Sequence, residues 1–193
     1  MRYRDILKQE SFKDARFRDY ENAFMWLAEA MVVNNCYNAT DSNFGLSMSG
    51  EHSTRKCYMG DTGLLGTHSF MDDRLTDNKL YRDILLDRLH VNEGMRMENI
   101  VAQELRAHGH GLYFYSRSDT DIRENHMEID FLICKGKKIC PVEVKSGVYR
   151  KHSSLDKFRN KFSGKIGVLY SVCKRYFVKD DVIHLPIYFM MFL

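Results

Sequence analysis

The sequence predicts an α/β fold: a mixed sheet flanked by helices, preceded by a small, mainly helical subdomain. Three observations carry this expectation. Helix-period and strand-like segments follow one another through the second half of the chain. A glycine, Gly109, stands just past the longest helical segment there, and the first ninety or so residues show helical spacing with one short strand-like run. With 193 residues, 44% of them hydrophobic, the chain is long enough to bury a real core, and disordered, fibrous and disulfide-built classes are excluded.

In chain order, Ala23, Phe24, Leu27 and Met31 recur at helical spacing between Tyr20 and Val33, which predicts an amphipathic helix anchored by Trp26. Residues 32–39 read as a short strand, 40–53 as a polar, turn-rich stretch, and 80–89 as a second helical pattern. Asp61-Thr62-Gly63 reads as a turn or helix cap. These elements place a subdomain over 1–90 and the main domain over 91–193. In the main domain a helix is expected from Glu93 to Ala107, stopping near Gly109. Strands are expected over 112–115, 127–134, 138–144, 165–172 and 184–192, with a helix at 154–162 before the fourth.

The N-terminal residues lack the apolar run of a signal peptide, and no apolar stretch approaches the roughly 20 residues that span a bilayer. Five cysteines without CxxC spacing are expected to be reduced thiols of a cytoplasmic protein. The apolar ending, Met190-Met191 included, reads as buried strand. His108 and His110, at a helix end, read as solvated.

The chemistry-bearing residues emerge from strand parity. In the 127–134 strand Ile129, Phe131 and Ile133 share one face, and Glu128 and Asp130 the other. In the next strand Val142 and Val144 oppose Glu143 and Lys145. A sheet wet on one side accounts for either strand alone. Together they set an Asp, then Glu-x-Lys, on consecutive strands. Two such carboxylates suit a hard divalent cation, and a nearby lysine can orient an attacking water. Glu98 lies mid-arc among the apolar Val101, Ala102 and Leu105 of its helix. It therefore either pairs with a core Lys or Arg or belongs to a metal or active site.

Several ordered segments carry a resemblance. They are Lys56-Cys57-Tyr58-Met59-Gly60-Asp61-Thr62-Gly63, Glu98-Asn99-Ile100-Val101, Tyr113-Phe114-Tyr115, Glu128-Ile129-Asp130-Phe131, Pro141-Val142-Glu143-Val144-Lys145-Ser146-Gly147 and Leu185-Pro186-Ile187-Tyr188. The set resembles the PD-(D/E)XK nuclease-like superfamily. It is most similar to the C-terminal domain of bacterial and archaeal AAA+ type ATP-binding proteins. The resemblance implies a restriction-endonuclease-like sheet and an Mg²⁺ or Mn²⁺ cofactor. Asp130 and Glu143 would be ligands, Val144 would offer its carbonyl, Lys145 would be the catalytic lysine, and Glu98 would complete the site. It also implies a partner ATPase domain, although no GxxxxGK[ST] loop is present and ATP hydrolysis by this chain is not expected. The chain is then either part of a longer protein or a relative without its motor.

The net charge of +3 hides a polarised distribution. Residues 135–165 hold ten Lys or Arg against two acidic residues, a local +8 that leaves −5 elsewhere. Lys135, Lys137, Lys138, Arg150, Lys151 and Lys157 are therefore expected to meet a phosphate backbone, DNA more than RNA, around the site. A solvated charged face explains some of them equally. Two functions follow: a metal-dependent nuclease, or a silent nuclease-like module that binds nucleic acid or regulates a partner ATPase. No membrane association is expected, and an oligomer is compatible with the resemblance.

Overall fold

The computed structural model describes residues 17–39, 46, 50–69, 93–117, 127–147 and 152–193. Helix α1 (Phe17–Glu29) leads to the hairpin of β1 (Val33–Ala39) and β2 (Gly50–Met59), and a short helix α2 (Thr62–Ser69) follows. The second half comprises α3 (Glu93–Ala107), β3 (Tyr113–Arg117), β4 (Met127–Ile129), β5 (Phe131–Lys135), β6 (Lys138–Val144), α4 (Ser153–Lys161), β7 (Leu169–Cys173), β8 (Phe177–Lys179) and β9 (Val182–Pro186). A 3-10 helix, Ile187–Phe192, closes it. The mixed α/β architecture matches the expectation.

The strands form two mixed sheets, ordered β2-β1-β3-β4 and β5-β6-β7-β9-β8. In the first, β1 runs antiparallel to β2 and parallel to β3. The hairpin of the first half therefore shares a sheet with strands of the second. The expected boundary near residue 90, and the helical pattern at 80–89, lie outside the described residues. In the second sheet β6, β7 and β9 are parallel, while β5 and β8 are antiparallel edges.

Both faces of the larger sheet are covered. Val101, Ala102 and Leu105 of α3 pack with Phe131, Val142 and Val172 on one side. Leu155 and Phe158 of α4 pack with Leu132, Ile139 and Leu169 on the other. The half-wet sheet considered from strand parity is thus not what forms. Every residue of β6 from Ile139 to Glu143 is buried, and Glu143 is only 5% exposed.

Several boundaries differ from expectation for identifiable reasons. The 127–134 strand is broken at Asp130, where β4 leaves one sheet and β5 enters the other. The Asp130 side chain takes up the Val144 N–H at this break. The last strand ends at Pro186, which has no N–H to continue the ladder, and a 3-10 helix follows in place of strand. Met190 is buried as expected, but Met191 is exposed. Helix α1 stops before Met31, which adopts φ 57° and is exposed, and Trp26 is 66% exposed rather than an anchor. Gly60 is required where the hairpin meets the end of α1, since a Cβ there would lie 2.1 Å from the Met31 carbonyl. Gly109, at φ 83°, ends α3 as its position predicts.

Candidate functional site

Asp130 sits at the hinge between the two sheets, and four elements converge on it. Its Oδ2 accepts the Val144 N–H at 2.8 Å, which ties the hinge to the end of β6. Its Oδ1 lies 3.7 Å from the Lys56 ammonium, which β2 delivers from the first half of the chain. The same ammonium is 2.9 Å from Glu128 Oε1 and 3.7 Å from Glu98 Oε2. Glu98, on α3, also accepts the Tyr58 hydroxyl at 3.0 Å. Alternation along β2 puts Lys56 and Tyr58 on one face, and alternation along β4 aligns Glu128 with Asp130.

Three carboxylates therefore surround one buried ammonium. Burial alone would depress the Lys56 ammonium, but the charges of Asp130, Glu98 and Glu128 outweigh it and its pKa is raised. Burial raises the Asp130 carboxyl to about 6. The Glu98 and Glu143 charges add to this, while Lys56 and the Val144 N–H oppose it. The Tyr58 hydroxyl is held well above its ordinary value by burial first, then by Cys36 and Glu98.

Beside this cluster lies a second pair. Lys145 Nζ is 2.6 Å from Glu143 Oε1. The other carboxylate oxygen, Glu143 Oε2, is buried with no hydrogen-bond partner among the described residues. The Lys145 N–H donates to the Val172 carbonyl at 2.9 Å, which extends the β6–β7 ladder through the lysine.

The expected site residues are thus distributed in a definite way. Asp130, Glu98 and Glu128 meet through Lys56, Glu143 pairs with Lys145, and Val144 contributes its N–H to Asp130. Among the described residues no three His, Cys, Asp or Glu side chains gather to hold an ion. Glu98 stands near Lys56 and accepts the Tyr58 hydroxyl. Three of the basic residues expected around the site lie away from it. Lys135, Lys137 and Lys138 sit at the β5–β6 turn, the opposite end of β6 from Lys145, roughly 23 Å away at about 3.3 Å per residue. Lys135 there donates to the Tyr170 hydroxyl at 3.1 Å. Lys157 is exposed on α4, and Arg150 and Lys151 lie outside the described residues.

Residue-by-residue reading assigned no role to Lys56, Tyr58 or Asn99. Asn99 clamps α3 to the end of β2: its Oδ1 accepts the Met59 N–H at 2.7 Å and its Nδ2 donates to the Met59 carbonyl at 3.1 Å. Gln103, one turn on, donates to the Gly60 carbonyl at 2.9 Å and accepts from Thr62. Strand parity pairs Lys56 with Tyr58, but it does not say that this face points inward.

Residues 93–188 match the family described as domain of unknown function DUF4143. Residues 2–75 match a second family, described as domain of unknown function DUF8612. The carboxylates of the cluster come from the first matched segment and Lys56 from the second. Neither a curated protein nor a solved structure matches the chain significantly.

Proposed function

We propose that the chain is a divalent-metal-dependent nuclease module that hydrolyses phosphodiesters at Asp130, Glu143 and Lys145. Glu143 carries this reading: it is 5% exposed, pairs with Lys145 through one oxygen, and leaves the other buried and unpartnered among the described residues. A buried carboxylate oxygen without a donor is costly, which is the condition a cation relieves.

Mg²⁺ or Mn²⁺ suits two hard carboxylates with the remaining positions left to water and phosphate oxygens, so Asp130 and Glu143 would hold it. Bound there, the ion would polarise the phosphoryl oxygen and acidify a water. Lys145, partly exposed beside Glu143, orients the attacking water and offsets charge developing on phosphate. Lys56 and Tyr58 hold Glu98, Glu128 and Asp130 in place from the other sheet.

One observation favours the second reading, a catalytically silent module that binds nucleic acid or regulates a partner ATPase. The Lys56 ammonium already supplies a cation to the carboxylates. Calorimetry with Mg²⁺ and Mn²⁺ separates the two. Uptake that disappears in Asp130→Ala, with DNA cleavage lost in Lys145→Ala, supports the nuclease. Salt-sensitive DNA binding with neither metal uptake nor cleavage supports the silent module.

A further inference from the structure

The parallel strands β6, β7 and β9 end at one edge of the larger sheet, since Val144 pairs with Val172 and Cys173 with Pro186. Lys145, the Lys174-Arg175-Tyr176 turn and the final 3-10 helix all leave the sheet at that edge. The 3-10 helix is fixed from beneath: Met190 is fully buried, and Ile187 and Leu193 pack against the core. The turn is fixed as well, by the Cys173 thiol bonded to the Arg175 carbonyl at 3.1 Å and by the Lys174–Glu93 ion pair at 3.5 Å.

On this rigid base stand aromatic rings that face solvent. Tyr176 is 62% exposed, Phe189 38% and Phe192 73%. Tyr176 stacks on Phe189 with ring centroids 6.1 Å apart at 27°, and Phe192 meets Phe189 edge-on at 5.9 Å. Such rings exposed on a fixed backbone, beside Lys174 and Arg175, have the composition of a surface for unpaired bases and their phosphates.

We propose that Tyr176, Phe189 and Phe192, with Lys174 and Arg175, form a stacking platform for single-stranded nucleic acid at the sheet edge that bears Lys145. The platform rests on the nuclease reading for its purpose and names the substrate class, a strand with unpaired bases. In the sheet order these residues leave β7, β9 and β8, one to three strand spacings of about 4.8 Å from the strand that ends at Lys145. The charge match is local: Arg175 directly precedes the first ring and Lys174, which also pairs with Glu93, stands beside it, while the lysine-rich hairpin lies at the other end of the sheet.

The test is fluorescence anisotropy with labelled oligodeoxythymidylate, which forms no duplex, in EDTA. Tyr176→Ala combined with Phe192→Ala is expected to weaken binding tenfold or more, on the order of the loss of a base stack. Tyr176→Trp is expected to keep it, and Trp26→Ala, an exposed aromatic elsewhere, to leave it unchanged. Circular dichroism checks the fold, and Phe192→Ala alone serves if the double variant unfolds. Unchanged affinity in the platform variants, an equal loss in Trp26→Ala, or tighter binding of duplex than of single strand overturns the proposal. Since the assay holds no divalent ion, a failed metal titration at Asp130 and a failed platform are read independently.

Discussion

The Lys56 ammonium lies 2.9 Å from the Glu128 carboxylate, joining a strand of the first half of the chain to the segment that carries Asp130. That contact defines the site more than any single catalytic candidate. Without it, Glu98, Glu128 and Asp130 would lose the ammonium they share.

Removing the ammonium is therefore expected to be costly. Lys56→Met should destabilise the fold by about 3–5 kcal/mol in urea unfolding at pH 7.5, because Glu98, Glu128 and Asp130 lose the buried cation they share. The deficit should narrow as the pH falls and the carboxylates take up protons. A loss within 0.5 kcal/mol at pH 7.5, roughly the scatter of surface substitutions, would show that the cluster does not depend on Lys56.

Asp130 gives the opposite sign. Its folded pKa is raised to about 6 from 3.8, so the folded state binds the extra proton between those values. Its stabilising contribution is complete below the lower value and is lost as the pH rises through about 6. Asp130→Asn should thus melt a few degrees above the parent at pH 8, with the gap shrinking toward pH 4. Mg²⁺ should raise the melting temperature of the parent and not of the variant. Equal melting curves across that range contradict the strained carboxylate.

His184 governs an acid limb. It is fully buried with both ring nitrogens unpartnered, stacks on Phe177 at 4.0 Å, and its pKa is lowered by burial, then by His152 and Lys179, with Asp180 opposing. The unfolded chain therefore binds a proton that the folded chain refuses, and stability falls as the pH drops below about 6.5. The slope is at most ~1.4 kcal/mol per pH unit. His184→Phe should flatten that limb in urea titrations between pH 7 and 5, and an unaltered slope would assign it to other groups.

Asn99 tests the clamp between α3 and β2. Asn99→Ala removes both contacts to Met59 and leaves its backbone groups unsatisfied, at a cost of about 3 kcal/mol. Amide hydrogen exchange at Met59 should accelerate in step, and unchanged protection there would show that the clamp is idle.

Much of this was legible before any coordinates. The spacing of Val101, Ala102 and Leu105 marked α3, Gly109 marked its end, and parity put Glu128 with Asp130. These are local properties, because helix period, strand alternation and glycine's tolerance of positive φ act over a few residues. The strand break at Asp130 was not legible, because the residue fits an extended run and its side chain's partners, the Val144 N–H and Lys56, are distant in sequence. The closing 3-10 helix was hidden for a related reason: its apolar residues look like core, yet only Met190 is fully buried and Tyr188, Phe189, Met191 and Phe192 are exposed.

By itself the sequence determined the mixed α/β class, the helices at 93–107 and near 154–162, and the acidic and basic residue types that make phosphodiester chemistry conceivable. Only the tertiary structure decided which charges meet. Pairing of β1 with β3 brings Lys56 to Glu98, Glu128 and Asp130 across more than forty residues of chain, and the direction of β6 carries the hairpin lysines away from Lys145. The reason is physical: charge interactions depend on distance and burial in space, and neither can be read from spacing along the chain.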